Sequence, residues 1–144
     1  PPSFLGDFGL YEIPGFEIFY VRGGKSIDKW CRTPGYDWWE NEQLSFVQSK
    51  NVIQLYKEIK PNFVISHECP ASVIDLFATR KFYRGQLLTP SFTAKLLDKL
   101  FEIHQPKFWI FGHHHIDWKY KFKNTTFQCL GELQYLDLGK NHEL

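Results

Sequence analysis

Twice in this chain a helix-spaced stretch stops at a proline, a short apolar run follows, and the run ends in histidine. The first unit passes through residues 42–60, Pro61, Asn62-Phe-Val-Ile-Ser66 and His67. In it Val52, Leu55, Tyr56 and Ile59 recur at helical spacing. The second opens at Pro90-Ser91, with Ser91 as N-cap and Leu96, Leu97, Leu100 and Ile103 as its apolar stripe. It passes Pro106, Lys107-Phe-Trp-Ile-Phe111 and Gly112, and ends in His113, His114 and His115. Proline stops a helix because it lacks an N–H and its ring clashes with the preceding turn. Strands that alternate with helices favour parallel neighbours joined by right-handed crossovers. The repeat therefore predicts an α/β domain with two adjacent parallel strands. It also places His67 beside the histidine triplet at one sheet edge, the edge where open α/β sheets hold ligands.

The remaining segments are read around that pair. Two β-prone runs, residues 8–13 and 16–21, flank Pro14-Gly15 and predict a hairpin. Residues 25–41 lack periodicity and carry Trp30, Trp38 and Trp39, which predicts a long loop pinned to the body by its tryptophans. A short helix is expected around residues 72–79, followed by a basic stretch containing Arg80, Lys81 and Arg84. Residues 118–123 alternate strictly between aromatic and lysine, the pattern of a half-buried antiparallel strand with its aromatics inward. A turn at Asn124-Thr125, a return strand over 126–130 and a last strand over 133–138 complete the expected order.

Composition narrows the functional classes. With 144 residues the chain is long enough for one domain with a real core, and its formal charge of +1 argues against bulk binding of nucleic acid or anionic membrane. The lysine–aromatic stripe at 118–123 has the chemistry of a single-stranded nucleic-acid platform, but strand alternation already explains it. No run of eighteen apolar residues and no basic-then-apolar leader occurs, so a soluble, cytoplasmic protein is expected. Cys31, Cys69 and Cys129 are odd in number and widely spaced, which is neither a disulfide framework nor a zinc knuckle. The chain opens at Pro1-Pro2 and contains no methionine, so a fragment or a product of processing or splitting is expected.

Neutral imidazole is the commonest protein metal ligand. A His-x-His pair joined by a third histidine from a neighbouring strand could hold zinc, manganese or iron at about 2.0–2.1 Å. The two histidine segments are also specific in kind. Val64-Ile-Ser-His-Glu-Cys-Pro70 and Trp109-Ile-Phe-Gly-His-His-His115 resemble the last two ligand motifs of the calcineurin-like metallophosphoesterases, a Ser-His-x-x-Pro and a Gly-His-x-His. Val21-Arg-Gly-Gly-Lys-Ser-Ile-Asp28, the Trp38-Trp39 pair with Glu42, and Glu132-Leu-Gln-Tyr-Leu-Asp-Leu138 are similar to later segments of that family, so the likeness covers nearly the whole chain.

The resemblance implies the C-terminal half of an αββα sandwich, with mixed sheets and two parallel strands ending in the histidine motifs. Residues 1–144 would form one partial domain. It implies that His67 and His113 bind one of two divalent ions (Mn, Fe or Zn) and His115 the other, while His114 fills a variable position facing solvent or substrate. The substrate would be a phosphate mono- or diester. Arg80, Lys81 and Arg84 could reach its phosphate, or form a solvated basic loop. The family's Asp-x-His and Gly-Asp-x-x-Asp motifs are absent from this sequence. Asn141-His142-Glu143 spells part of a third motif but follows the last expected strand. The bridging carboxylate and the asparagine–histidine pair would therefore come from an N-terminal segment or a second chain. No catalytic residue is assigned here, and the chain alone is expected to be inactive or very weakly active. The alternative is a non-catalytic, degenerate or truncated copy that keeps the fold to bind a partner.

Overall fold

The structure, a computed structural model, describes residues 4–26, 28–77, 82–83, 86–87 and 89–138. Strands β1 (Phe8–Ile13) and β2 (Phe16–Val21) form the expected hairpin, with Gly15 at φ +87°, a turn conformation that glycine adopts without strain. Helix α1 (Phe46–Ile59) starts four residues later than its apolar spacing indicates. The reason is a capping box: Ser45 Oγ accepts from the Gln48 amide, and the Gln48 side chain accepts from the Ser45 amide. The helix closes at Lys60 in the left-handed conformation, just before Pro61.

Strand β3 (Phe63–Ser66), helix α2 (Ala71–Phe77) and a two-stranded ribbon of β4 (Phe82–Tyr83) and β5 (Gln86–Leu87) come next. Helix α3 (Phe92–Ile103) is capped by Ser91 as expected, and β6 (Phe108–Phe111), β7 (Trp118–Phe122) and β8 (Thr125–Cys129) close the order. The main sheet has six strands in the order β1-β2-β3-β6-β8-β7. Strands β2, β3, β6 and β8 are parallel, and β1 and β7 pair antiparallel at the two edges. The expected juxtaposition of the two proline-led strands is present, with Val64 opposite Trp109 and Ile65 opposite Ile110. This is a mixed α/β architecture.

Each strand alternates its side chains between two faces. All three helices pack on the face that carries Phe19, Val21, Val64, Trp109, Phe111 and Phe127. Trp109 is fully buried there, stacked on Phe127 with Phe101 edge-on, and its indole N–H donates to Ser66 Oγ at 2.8 Å. Each large side chain buried in that layer contributes about 1.5–3 kcal/mol relative to exposure. The opposite face centres on Ile18, Phe63 and Ile110 and is met by Leu130, Leu136 and Leu138 rather than by a helix.

That last packing corrects one expectation. Residues 133–138 form no strand, because the Leu136/Leu138 alternation is satisfied by lying on the sheet face without joining its ladder. On β7 the lysines are exposed and Trp118 and Phe122 pack on the main core, but Tyr120 is 53 % exposed at the edge of the sheet. In the loop over residues 25–41, Trp38 is tied in through Nε1–H to the Glu42 carboxylate at 2.9 Å. Trp30 and Trp39 are 66 % and 54 % exposed and do not act as buried anchors. Arg80, Lys81, Arg84 and Asn141-His142-Glu143 lie outside the described residues. Among the described residues no helix is long and apolar enough to cross a membrane.

Candidate metal centre

The parallel pairing of β3 and β6 brings both strand ends to the same sheet edge. Gly112 N–H donates to the His67 carbonyl at 3.1 Å, which ties one exit to the other. His113 Nδ1 and His67 Nε2 then stand 2.9 Å apart, with ring centroids separated by 4.8 Å. Two imidazole nitrogens bound to one ion at about 2.1 Å and a right angle lie about 3.0 Å apart, so this pair fits one edge of a coordination polyhedron. His113 and His115 both adopt left-handed backbone conformations, at φ 66° and 54°. Non-glycine residues held there cost on the order of 1–3 kcal/mol each, and such strain concentrates at functional sites.

Behind the pair stands a carboxylate that sequence reading passed over. Glu68 is only 4 % exposed. Its Oε1 accepts from His114 Nε2–H at 2.7 Å and from the Cys69 amide at 2.9 Å, and its Oε2 lies 3.4 Å from His113 Nε2. A histidine ligand commonly directs its second ring nitrogen at a carboxylate, which fixes its tautomer and orientation. Glu68 stands in that position relative to His113. Its own placement comes from the core, since Ser66 Oγ, which receives the Trp109 indole, donates to the Glu68 carbonyl.

His114, expected to face solvent or substrate, is only one-fifth exposed. It is turned onto Glu68 and lies against Phe77, with ring centroids 4.9 Å apart. His115 points elsewhere: its Nδ1–H donates to Glu132 Oε1 at 2.6 Å in a largely exposed pair. The fold thus joins His67 to His113 and sends His114 and His115 to separate carboxylates.

Glu68, Cys69 and His114 offer one ligand atom each within 4.8 Å of one another. Burial pushes the Cys69 thiol well above its ordinary value, and the Glu68 charge pushes it further. With Glu68 Oε1 already satisfied twice, this trio reads as the support of the histidine pair. Sequence inspection had one available signal: Glu68 and Cys69 occupy the two unspecified places between His67 and Pro70.

Burial pushes both His67 and His113 below the ordinary histidine value of 6.5, against the opposing pull of Glu68, so both are neutral and ligand-ready at pH 7. For Glu68 burial acts upward, but the His114 hydrogen bond and the neighbouring imidazoles outweigh it, and its carboxyl sits below the ordinary value. All three folded-state values lie below those of the unfolded chain, so the unfolded chain takes up protons first on acidification. The metal-free protein should therefore hold its urea midpoint from about pH 8 to 7 and lose it progressively as pH falls from about 6.5 toward 5. The double variant His67→Gln/His113→Gln should flatten that decline. A wild-type midpoint that does not change across the window would contradict the assignment.

No known family model matches this sequence, and no curated protein matches it.

Proposed function

We propose that this chain is the C-terminal half of a calcineurin-like metallophosphoesterase domain, which hydrolyses a phosphate mono- or diester once the remaining ligand motifs are supplied by an N-terminal segment or a second chain. The observation that carries the reading is the His67–His113 nitrogen pair, 2.9 Å apart at adjacent parallel strand ends, with Glu68 behind His113. One helical layer on one face of a mixed sheet is also what half of an αββα sandwich would contribute. Divalent ions (Mn, Fe or Zn) in such a centre polarise phosphoryl oxygens and lower the pKa of a water nucleophile. His67 and His113 would hold one ion as neutral imidazoles, and Glu68 would keep His113 in the right tautomer. His115 is the residue this chain would offer a second ion, because its exposed pairing with Glu132 is weak enough to exchange.

The test has two arms. Titrating the chain with Zn²⁺ or Mn²⁺ in a calorimeter should give one bound ion per chain, and His113→Ala should abolish it. Hydrolysis of bis-p-nitrophenyl phosphate should be absent with the chain alone. It should appear when the chain is joined to a segment carrying Asp-x-His, Gly-Asp-x-x-Asp and Gly-Asn-His motifs, and vanish with His113→Ala. Ion binding without hydrolysis by the completed protein would favour the non-catalytic module. No ion at all would end the metal reading.

A further inference from the structure

The histidine pair has a second neighbour besides Glu68. A Cβ placed on Gly24 would stand 2.9 Å from His67 Cδ2 and 3.4 Å from His113 Nδ1, so the backbone leaving β2 lies directly against both rings. Only a residue without a side chain permits that approach. What holds this backbone in place is one residue, Glu42. Its carbonyl accepts from Gly24 N–H at 3.3 Å, its Oε1 accepts from Ser26 N–H at 3.2 Å, and its Oε2 accepts from the Trp38 indole at 2.9 Å. A Cβ on Gly23, at φ +110°, would meet the same Glu42 carbonyl at 3.0 Å. Arg22, just before the two glycines, is anchored in turn, because its Nη1 donates to the Asn41 carbonyl at 2.7 Å and its Nε to the Asp7 carboxylate.

We propose that Glu42 is a positioning residue of the histidine pair. It presses the backbone of residues 23–26 against His67 and His113 and so keeps the two nitrogens at coordinating separation, although it is not itself a ligand. The inference rests on the metal-centre reading above. If Glu42 were merely a loop staple, its loss would lower stability and leave ion affinity alone. If it is a positioning residue, ion affinity falls out of proportion to stability. The partners that orient metal ligands typically change affinity by roughly 10–100-fold when removed, and that is the range expected here.

The experiment compares wild type, Glu42→Ala, Glu42→Gln and Gly24→Ala by Zn²⁺ calorimetry, with urea midpoints measured in parallel. Glu42→Ala should weaken binding by roughly 10–100-fold. Glu42→Gln keeps one acceptor oxygen for the Ser26 amide and should recover part of the loss. Gly24→Ala pushes on His67 directly and should weaken binding too, and the double variant should lose less than the sum of the two because both act through one segment. In the wild type the Gly24 amide resonance should shift on adding Zn²⁺. If wild type binds no ion, the metal-centre reading falls and this inference with it. If wild type binds and Glu42→Ala stays within twofold, the inference alone falls. Should Glu42→Ala fail to fold, Glu42→Gln and Gly24→Ala decide the matter, and wild-type affinity in both would overturn it.

Discussion

Replacing Trp109 with alanine should lower the free energy of unfolding by about 3–5 kcal/mol. Trp109 is fully buried, stacks on Phe127 at 5.7 Å and meets Phe101 edge-on at 6.3 Å, so the void left behind has rigid aromatic walls that cannot collapse. Its indole N–H also donates to the buried Ser66 Oγ. Trp109→Phe keeps most of the volume and loses that bond, for a smaller cost of about 1–2 kcal/mol. Urea denaturation followed by far-ultraviolet circular dichroism measures both. Because Ser66 also donates to the Glu68 carbonyl, Trp109→Phe should in addition weaken ion binding. A Trp109→Ala protein with an unchanged midpoint would mean that the core is not organised as described.

The second large effect concerns Glu68. Glu68→Ala removes the acceptor of His114 Nε2–H and of the Cys69 amide, and the carboxylate 3.4 Å from the His113 ring, from a nearly solvent-free position. Leaving buried donors unpaired costs about 1–3 kcal/mol each, so a loss of several kcal/mol in stability is expected. Glu68→Gln is the sharper probe. It keeps the shape and one carbonyl oxygen but no longer offers a carboxylate to His113, so ion affinity should fall by roughly 10–100-fold while the fold survives. Calorimetry on Glu68→Gln separates the roles. If ion affinity were unchanged in a folded Glu68→Gln protein, the carboxylate would belong to the core and not to the metal centre.

Much of the architecture was legible in the sequence, and for a local reason. The hairpin at Pro14-Gly15, the Ser91 cap and the strands after Pro61 and Pro106 are written by residues adjacent in the chain. Proline, glycine and cap side chains act within a few residues of themselves, so their effects survive whatever the rest of the molecule does. The parallel adjacency of the two proline-led strands followed from the same signals, since strands that alternate with helices favour parallel neighbours. That is why the meeting of His67 with the His113–His115 triplet could be stated from sequence.

What sequence could not supply is direction. Three consecutive histidines have the same composition and neighbourhood, yet His113 faces His67, His114 turns onto Glu68, and His115 reaches Glu132. His113 and His115 both take the left-handed backbone, just after the Gly112 N–H that ties the β6 exit to the His67 carbonyl. The same holds for residues 133–138, whose alternating leucines satisfy burial on a sheet face as well as they would in a strand. Glu68 and Glu42 were invisible as partners because each serves groups far away in sequence. Glu68 contacts residues 45 and 46 positions ahead, and Glu42 reaches back to the glycines beside the rings. The chain by itself determined the hairpin, the two helix–proline–strand units and the two strand ends that meet. Only the packed structure decided which side chain each histidine answers to, because that depends on long-range hydrogen bonds made after the strands have been brought together.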